Sequence, residues 1–150
     1  IFNRSHYEDI IAVRVKKIFP DPVWKRRYKH VLDFESMLAE EGTVIIKLFL
    51  NISKAEQKKR LESRLQDPDK LWKFCMDDLD DRNRWDEFQT AYQDLIEKTS
   101  TPEAPWYIIP ADRKWYRNLV VARLMVEKLR HLQLSLPTPN FDPASIIIPD

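Results

Sequence analysis

The chain has 150 residues, 43% of them hydrophobic and 33% charged, with five Trp, five Tyr and seven Phe. That is enough for one domain with a filled core, and it excludes a disordered composition. The net charge of +1 points to no particular partner, so any anion site has to come from local clustering. Cys75 and Gly42 are the only cysteine and the only glycine. They exclude an internal disulfide, a Gly-rich phosphate loop and a dinucleotide fingerprint within these residues. A lone cysteine fits a reducing, cytoplasmic setting, and no apolar run reaches the length of a membrane span.

Taken in chain order, Ile1-Phe2 read as the end of a buried strand. Residues 4–15 read as a helix capped by Ser5, with Glu8 three residues on as capping-box partner. Pro20 and Pro22 punctuate, and residues 24–41 form a second helix with Tyr28, Val31, Leu32, Phe34 and Leu38 near 3.6 spacing. Gly42 is the expected stop. Residues 43–50 are an apolar run rich in β-branched and aromatic residues, interrupted by Lys47; they predict a strand buried on both faces. Ser53 caps a helix through Gln66 whose apolar stripe is only Ala55, Leu61 and Leu65.

Asp67-Pro68 break that helix, and LWKF (71–74) is a connector. Residues 77–98 predict a single helix with Trp85, Phe88, Tyr92, Leu95 and Ile96 as its core stripe. Residues 106–109 form a short strand closed by Pro110. Residues 114–132 form a last helix with a broad apolar face, and a Pro-rich tail, 137–150, follows. Strands alternating with helices predict an α/β fold with a parallel sheet.

Three places carry chemistry. Asn3, Arg4 and Glu8 would lie at the carboxyl edge of the sheet, where open α/β sheets bind ligands. Arg4 could fork onto phosphate; a capped helix start with a surface Arg fits the same residues. Lys58, Lys59, Arg60, Arg64, Lys70, Lys73, Arg82 and Arg84 form a basic stretch. Arg60 and Arg64 share a helix face, which suits a polyanion, and the thin apolar stripe suits a mobile lid. A solvated helix neutralised by Glu56, Glu62 and Asp67 is the competing reading. Asp112 either contacts a nucleotide or caps the last helix, the cap being the default. The three histidines, His6, His30 and His131, are scattered as surface or packing residues.

The segments FNRSHYED, EGTVIIKLFLNISKAEQKKRLESRL, DPDKLWKF, DDLDDRNRWDEF and TSTPEAPWYIIPADRKW follow one another as in the family-2 polyphosphate kinases. The chain resembles that family from Ile1 to about Leu132. The resemblance implies a P-loop kinase fold related to thymidylate kinases, with a helical lid at about residues 53–85 inside a kinase portion spanning 1–136. It also implies reversible, Mg²⁺-dependent phosphoryl transfer between polyphosphate and adenine nucleotides, and homo-oligomers; it implies neither a membrane nor a nucleic acid as partner.

On this resemblance the opening cluster is similar to the family's Walker B region. One branch has Asp-Arg-Ser-Trp-Tyr there, whereas this chain has Asn3-Arg4-Ser5-His6-Tyr7 followed by Glu8. That variant resembles the branch accepting nucleoside monophosphates as well as diphosphates. The implied roles are catalytic for Arg4 and Arg82, nucleotide-binding for Asn3, Glu8 and Asp112, and polyphosphate-binding for Arg60, Arg64, Lys73 and Arg82. No metal ligand is assigned. Arg113 stands where the usual pattern has a second acidic residue. The family's Gly-rich Walker A loop would precede residue 1, so the chain reads as the C-terminal portion of the kinase domain, and these residues alone are expected to be inactive. An ATP-dependent nucleoside monophosphate kinase and a non-catalytic polyanion- or nucleic-acid-binding module are the competing functions. The latter finds only Trp72 and Phe74 as aromatics beside the basic stretch.

Overall fold

The structure, a computed structural model, describes residues 1–149. Its centre is a pair of parallel strands, β1 (Lys47–Asn51) and β2 (Trp106–Pro110), in register from Lys47 beside Trp106 to Asn51 beside Pro110. A parallel pair needs a crossover, and the chain supplies a helical one between Asn51 and Trp106. The ladder runs on past the strand ends, where the Ala111 amide donates to the Asn51 carbonyl at 2.8 Å.

Three helices build the core: α1 (Glu8–Val15), α2 (Asp21–Glu40) and α5 (Trp85–Thr99). Tyr7, Ile10, Ile11, Val13 and Val15 meet Trp24 and Val31 of α2 and Ala91 and Leu95 of α5. Four of the eight residues of α1, Ile10, Ile11, Val13 and Val15, are buried, so this short helix sits innermost. α2 starts at Asp21-Pro22, with the proline in the first turn where its missing N–H costs nothing. It ends at Gly42, whose φ of +82° is the left-handed stop that glycine adopts without strain. The lid candidate comprises α3 (Lys54–Gln66), a 3-10 turn (Pro68–Lys73) and α4 (Asp77–Asn83). α3 contributes only Leu61 to the buried set. The last helix, α6 (Lys114–His131), lies against β2 and buries no residue completely.

Five expectations change. Ile1-Phe2 are exposed and pair with no strand among the described residues. The first helix begins at Glu8: Ser5 supplies its carbonyl to the Glu8 amide at 3.0 Å, and no side chain caps the helix. The strand at 43–50 shrinks to Lys47–Asn51 and is only partly buried, because it has one neighbouring strand. The single helix at 77–98 is two, broken at Arg84 (φ −97°, ψ 23°), whose guanidinium reaches across to the Val15 carbonyl at 2.6 Å. Asp112 does not cap α6; its carboxylate accepts from the Ser53 amide instead. The Ser53 cap on α3, accepting from the Glu56 amide at 3.0 Å, is as the sequence predicts. Among the described residues no helix is long and apolar enough to cross a membrane.

Candidate functional site

Both strands end at the same edge, so the loops that follow them stand side by side. Asn51 to Lys54 and Pro110 to Arg113 line a cleft of about 550 Å³, closed by Trp85 and Gln89 of α5 and by Tyr116 of α6. This is the carboxyl edge of the parallel strands, the place where such sheets hold ligands. Asp112 joins the two loops through its 2.7 Å bond from the Ser53 amide. Trp85, Gln89 and Tyr116 were not foreseen. Trp85 sits in the apolar stripe that faces the core elsewhere along α5, and the pattern alone gives no sign that its first turn borders open space.

Two arginines of the basic stretch are braced onto this rim. Arg60 donates through Nε to Glu56 at 2.7 Å and through Nη2 to the Ala111 carbonyl at 2.7 Å. It thereby ties α3 to the loop after β2. Arg82 donates through Nη1 to the Lys54 carbonyl at 2.7 Å and to Gln57 Oε1 at 2.9 Å, which ties α4 to the start of α3. Arg64 faces Asp78 at 3.4 Å. A guanidinium carries five N–H donors. Arg82 and Arg64 each spend one nitrogen on these contacts and keep the rest for an anion, while Arg60 is more fully committed. Lys73 stands apart, its ammonium 5.0 Å over the ring of the exposed Trp72.

The opening segment leads into α1, which packs against α5. Arg4, exposed, adopts a left-handed backbone (φ 61°) that residues other than glycine rarely adopt. Burial pushes the Tyr92 phenol up from its ordinary value; Glu8 adds to that rise and Arg4 opposes it. Tyr92 stacks on Phe49 of β1 at 4.9 Å. Lys16, at the end of α1, is held above its usual value by a 2.9 Å pair with Asp81 of α4, with Arg4 again opposing. Arg4, Glu8 and Asp81 therefore lie within electrostatic reach of Tyr92, one turn along α5 from Gln89. Asn3 is exposed in the same segment.

Among the described residues no three His, Cys, Asp or Glu side chains gather into a metal cage. Asp78 and Asp81 are already engaged by Arg64 and Lys16. The residues present do not by themselves fit a Mg²⁺ site built from side chains.

The sequence model of the polyphosphate kinase 2 family matches residues 1–136. An AMP/ADP-polyphosphate phosphotransferase of Meiothermus ruber is 53% identical over 148 residues, covering 99% of this chain and 55% of that protein. An ADP-polyphosphate phosphotransferase of Rhodopseudomonas palustris is 37% identical, covering 91% and 52% respectively. The crystal structure of polyphosphate kinase 2 from Arthrobacter aurescens TC1 superposes with a TM-score of 0.90 at 48% identity, over 96% of this chain and 51% of that one. The chain thus spans about half the length of the curated relatives it matches.

Proposed function

Because the chain belongs to the polyphosphate kinase 2 family, we propose that the protein carrying it transfers phosphoryl groups between inorganic polyphosphate and adenine nucleotides. Its acceptors would include both AMP and ADP. The observation that carries this reading is a pair of guanidiniums, Arg60 and Arg82, bonded to rim carbonyls of a cleft at the carboxyl edge of two parallel strands, with Arg64 one turn along α3 from Arg60. Polyphosphate is a chain of anions. A basic helix with spare N–H donors on successive turns matches it better than it matches a single small acid.

In this reading α3, the 3-10 turn and α4 form the lid, and Arg64, Lys73 and Arg82 bind polyphosphate. Arg60 acts there mainly by holding α3 to the rim. Arg4 neutralises charge at the transferring phosphate, and Asn3, Glu8 and Asp112 face the nucleotide. Such transfer needs positioning and charge stabilisation more than covalent help. Fixed guanidiniums supply both without reorganising at the moment of reaction. Mg²⁺, which kinases of this kind usually receive with the nucleotide phosphates, belongs to the proposal, as does a cytoplasmic setting. The exposed apolar face of α6, including Trp115, Leu119 and Leu129, supports self-association.

The test is phosphoryl transfer by the complete protein in Mg²⁺ buffer, with AMP or ADP as acceptor and polyphosphate or ATP as donor. Transfer from polyphosphate to both acceptors is expected. Transfer from ATP alone would replace this reading with an ordinary nucleotide kinase. Arg82→Ala is expected to lower kcat/KM for polyphosphate about tenfold, the worth of one charge-assisted hydrogen bond. Unchanged turnover would remove Arg82 from the phosphate site.

A further inference from the structure

Beneath the opening segment lies a buried polar network that the cleft does not use. Lys47 of β1 and Glu35 of α2 are 6% and 4% exposed, and their charges meet at 2.7 Å. The Lys47 ammonium also donates to the Thr99 carbonyl at 2.6 Å and to the Tyr7 hydroxyl at 3.2 Å, so all three of its protons are placed. The Tyr7 hydroxyl donates to the other oxygen of Glu35 at 2.5 Å. Thr99, fully buried, accepts from the Trp106 indole at 2.8 Å and donates to the Leu95 carbonyl. One cluster thus spans both strands, α2, α5 and the residue just before α1.

A buried ion pair is a poor stability device. Apolar side chains of like volume often do as well or better, because each charge has been stripped of water. Burial pushes the Lys47 ammonium below its usual value, with Glu35 opposing, as that cost predicts. What the cluster does enforce is geometry: only one placement of Tyr7 satisfies Glu35 and Lys47 together. Tyr7 follows directly on Asn3-Arg4-Ser5-His6 and precedes Glu8. Its ring is wedged between Trp106, at 5.0 Å, and His6, at 4.6 Å. His6 in turn packs edge-on to Phe34 of α2 and stands 3.7 Å from Glu35. The strained backbone of Arg4 needs such an over-determined neighbour to persist.

We propose that Glu35 and Lys47 are positioning residues which act through Tyr7 to fix the segment bearing Asn3, Arg4 and Glu8 for phosphoryl transfer. The reactive role given to that segment rests on the function proposed above; the positioning itself does not.

The experiment uses the complete protein with two variants. Tyr7→Phe removes one hydroxyl and keeps the ring. The paired change Glu35→Leu with Lys47→Met removes both charges and keeps the volume. Each is read by thermal unfolding, by hydrogen exchange at the amides of residues 8–11, and by steady-state transfer from polyphosphate to AMP. Both variants are expected to unfold near the wild-type temperature, to exchange faster at residues 8–11 with the β1–β2 amides still protected, and to lose about 100-fold in kcat. KM for polyphosphate is expected to stay unchanged, since that ligand is assigned to the lid. Wild-type exchange at residues 8–11 in both variants would overturn the proposal, as would a kcat loss only in a variant that has also lost its thermal stability. If the wild-type protein transfers nothing from polyphosphate, the proposed function fails alone, and the exchange rates still decide whether the network positions the segment.

Discussion

Arg14 of α1 donates to Asp94 of α5 at 2.6 Å, across the seam between two core helices, and its guanidinium also lies 5.2 Å over the Trp24 ring. The hydrogen bond from Arg14 holds the Asp94 carboxyl below the usual carboxylate range, with Lys98 assisting. A carboxylate whose folded value is lowered contributes stability above its unfolded value, and that contribution is lost as pH falls through the folded one. Arg14→Met is therefore expected to destabilise by about 1–2 kcal/mol at neutral pH. The penalty should narrow as pH falls from about 5 through the ordinary carboxylate range and below it, as Asp94 protonates first without and then with its Arg14 partner. Paired thermal melts across that range check it, and a penalty independent of pH would assign the loss to the Trp24 contact instead. Residue-scale environments of this sort were hard to read. Lys47 appears in the sequence only as an interruption of an apolar strand. Its partners lie 12, 40 and 52 positions away, at Glu35, Tyr7 and Thr99, and no local pattern brings them together.

Elements whose ends are set by local chemistry were legible, and those ended by tertiary contacts were not. Ser53 could be named as a cap because a hydroxyl at that position has one evident duty, and Gly42 as a stop because a left-handed residue has few candidates. The break between α4 and α5 has neither glycine nor proline. It is made by Arg84 reaching Val15, 69 residues distant. The candidate site divides in the same way. Arg60, Arg82 and Asp112 stand out in the sequence by charge and position and lie on or against the rim, whereas Trp85, Gln89 and Tyr116 line the cleft only because of how α5 and α6 are set against the strands. The thin anchoring of α3 carries a prediction. With only Leu61 buried, this helix leans on its cap and on Arg60. Ser53→Ala is expected to cost about 1 kcal/mol locally and to speed limited proteolysis within residues 54–66 relative to α5. Equal rates at both places would mean that the tether between the Ser53 amide and Asp112 suffices without the cap.

At the scale of the molecule, the architecture leaves apolar surface open. Parallel sheets are ordinarily covered on both faces, and two strands alone make a marginal sheet. Here Ile108 and Leu50 at the strands are about half exposed, and Trp115 and Leu129 on α6 more than half. Leu134, Leu136, Ile147 and Ile148 beyond α6 are more exposed still. Exposed large apolar side chains in this number suit an interface when they adjoin one another. Relatives that match the chain at high identity are about twice as long. Residues 1–150 expressed as an isolated polypeptide are therefore expected to bind an apolar dye such as ANS and to sediment in a concentration-dependent way. A longer protein of the relatives' length that carries these residues should bind less dye, its added chain or a second copy covering the strands and α6. A monodisperse, dye-silent monomer of residues 1–150 would show that these faces are tolerated in water. The case for self-association through α6 would then fall, while the contacts of α3, the cleft and the Tyr7 network would stand on their own.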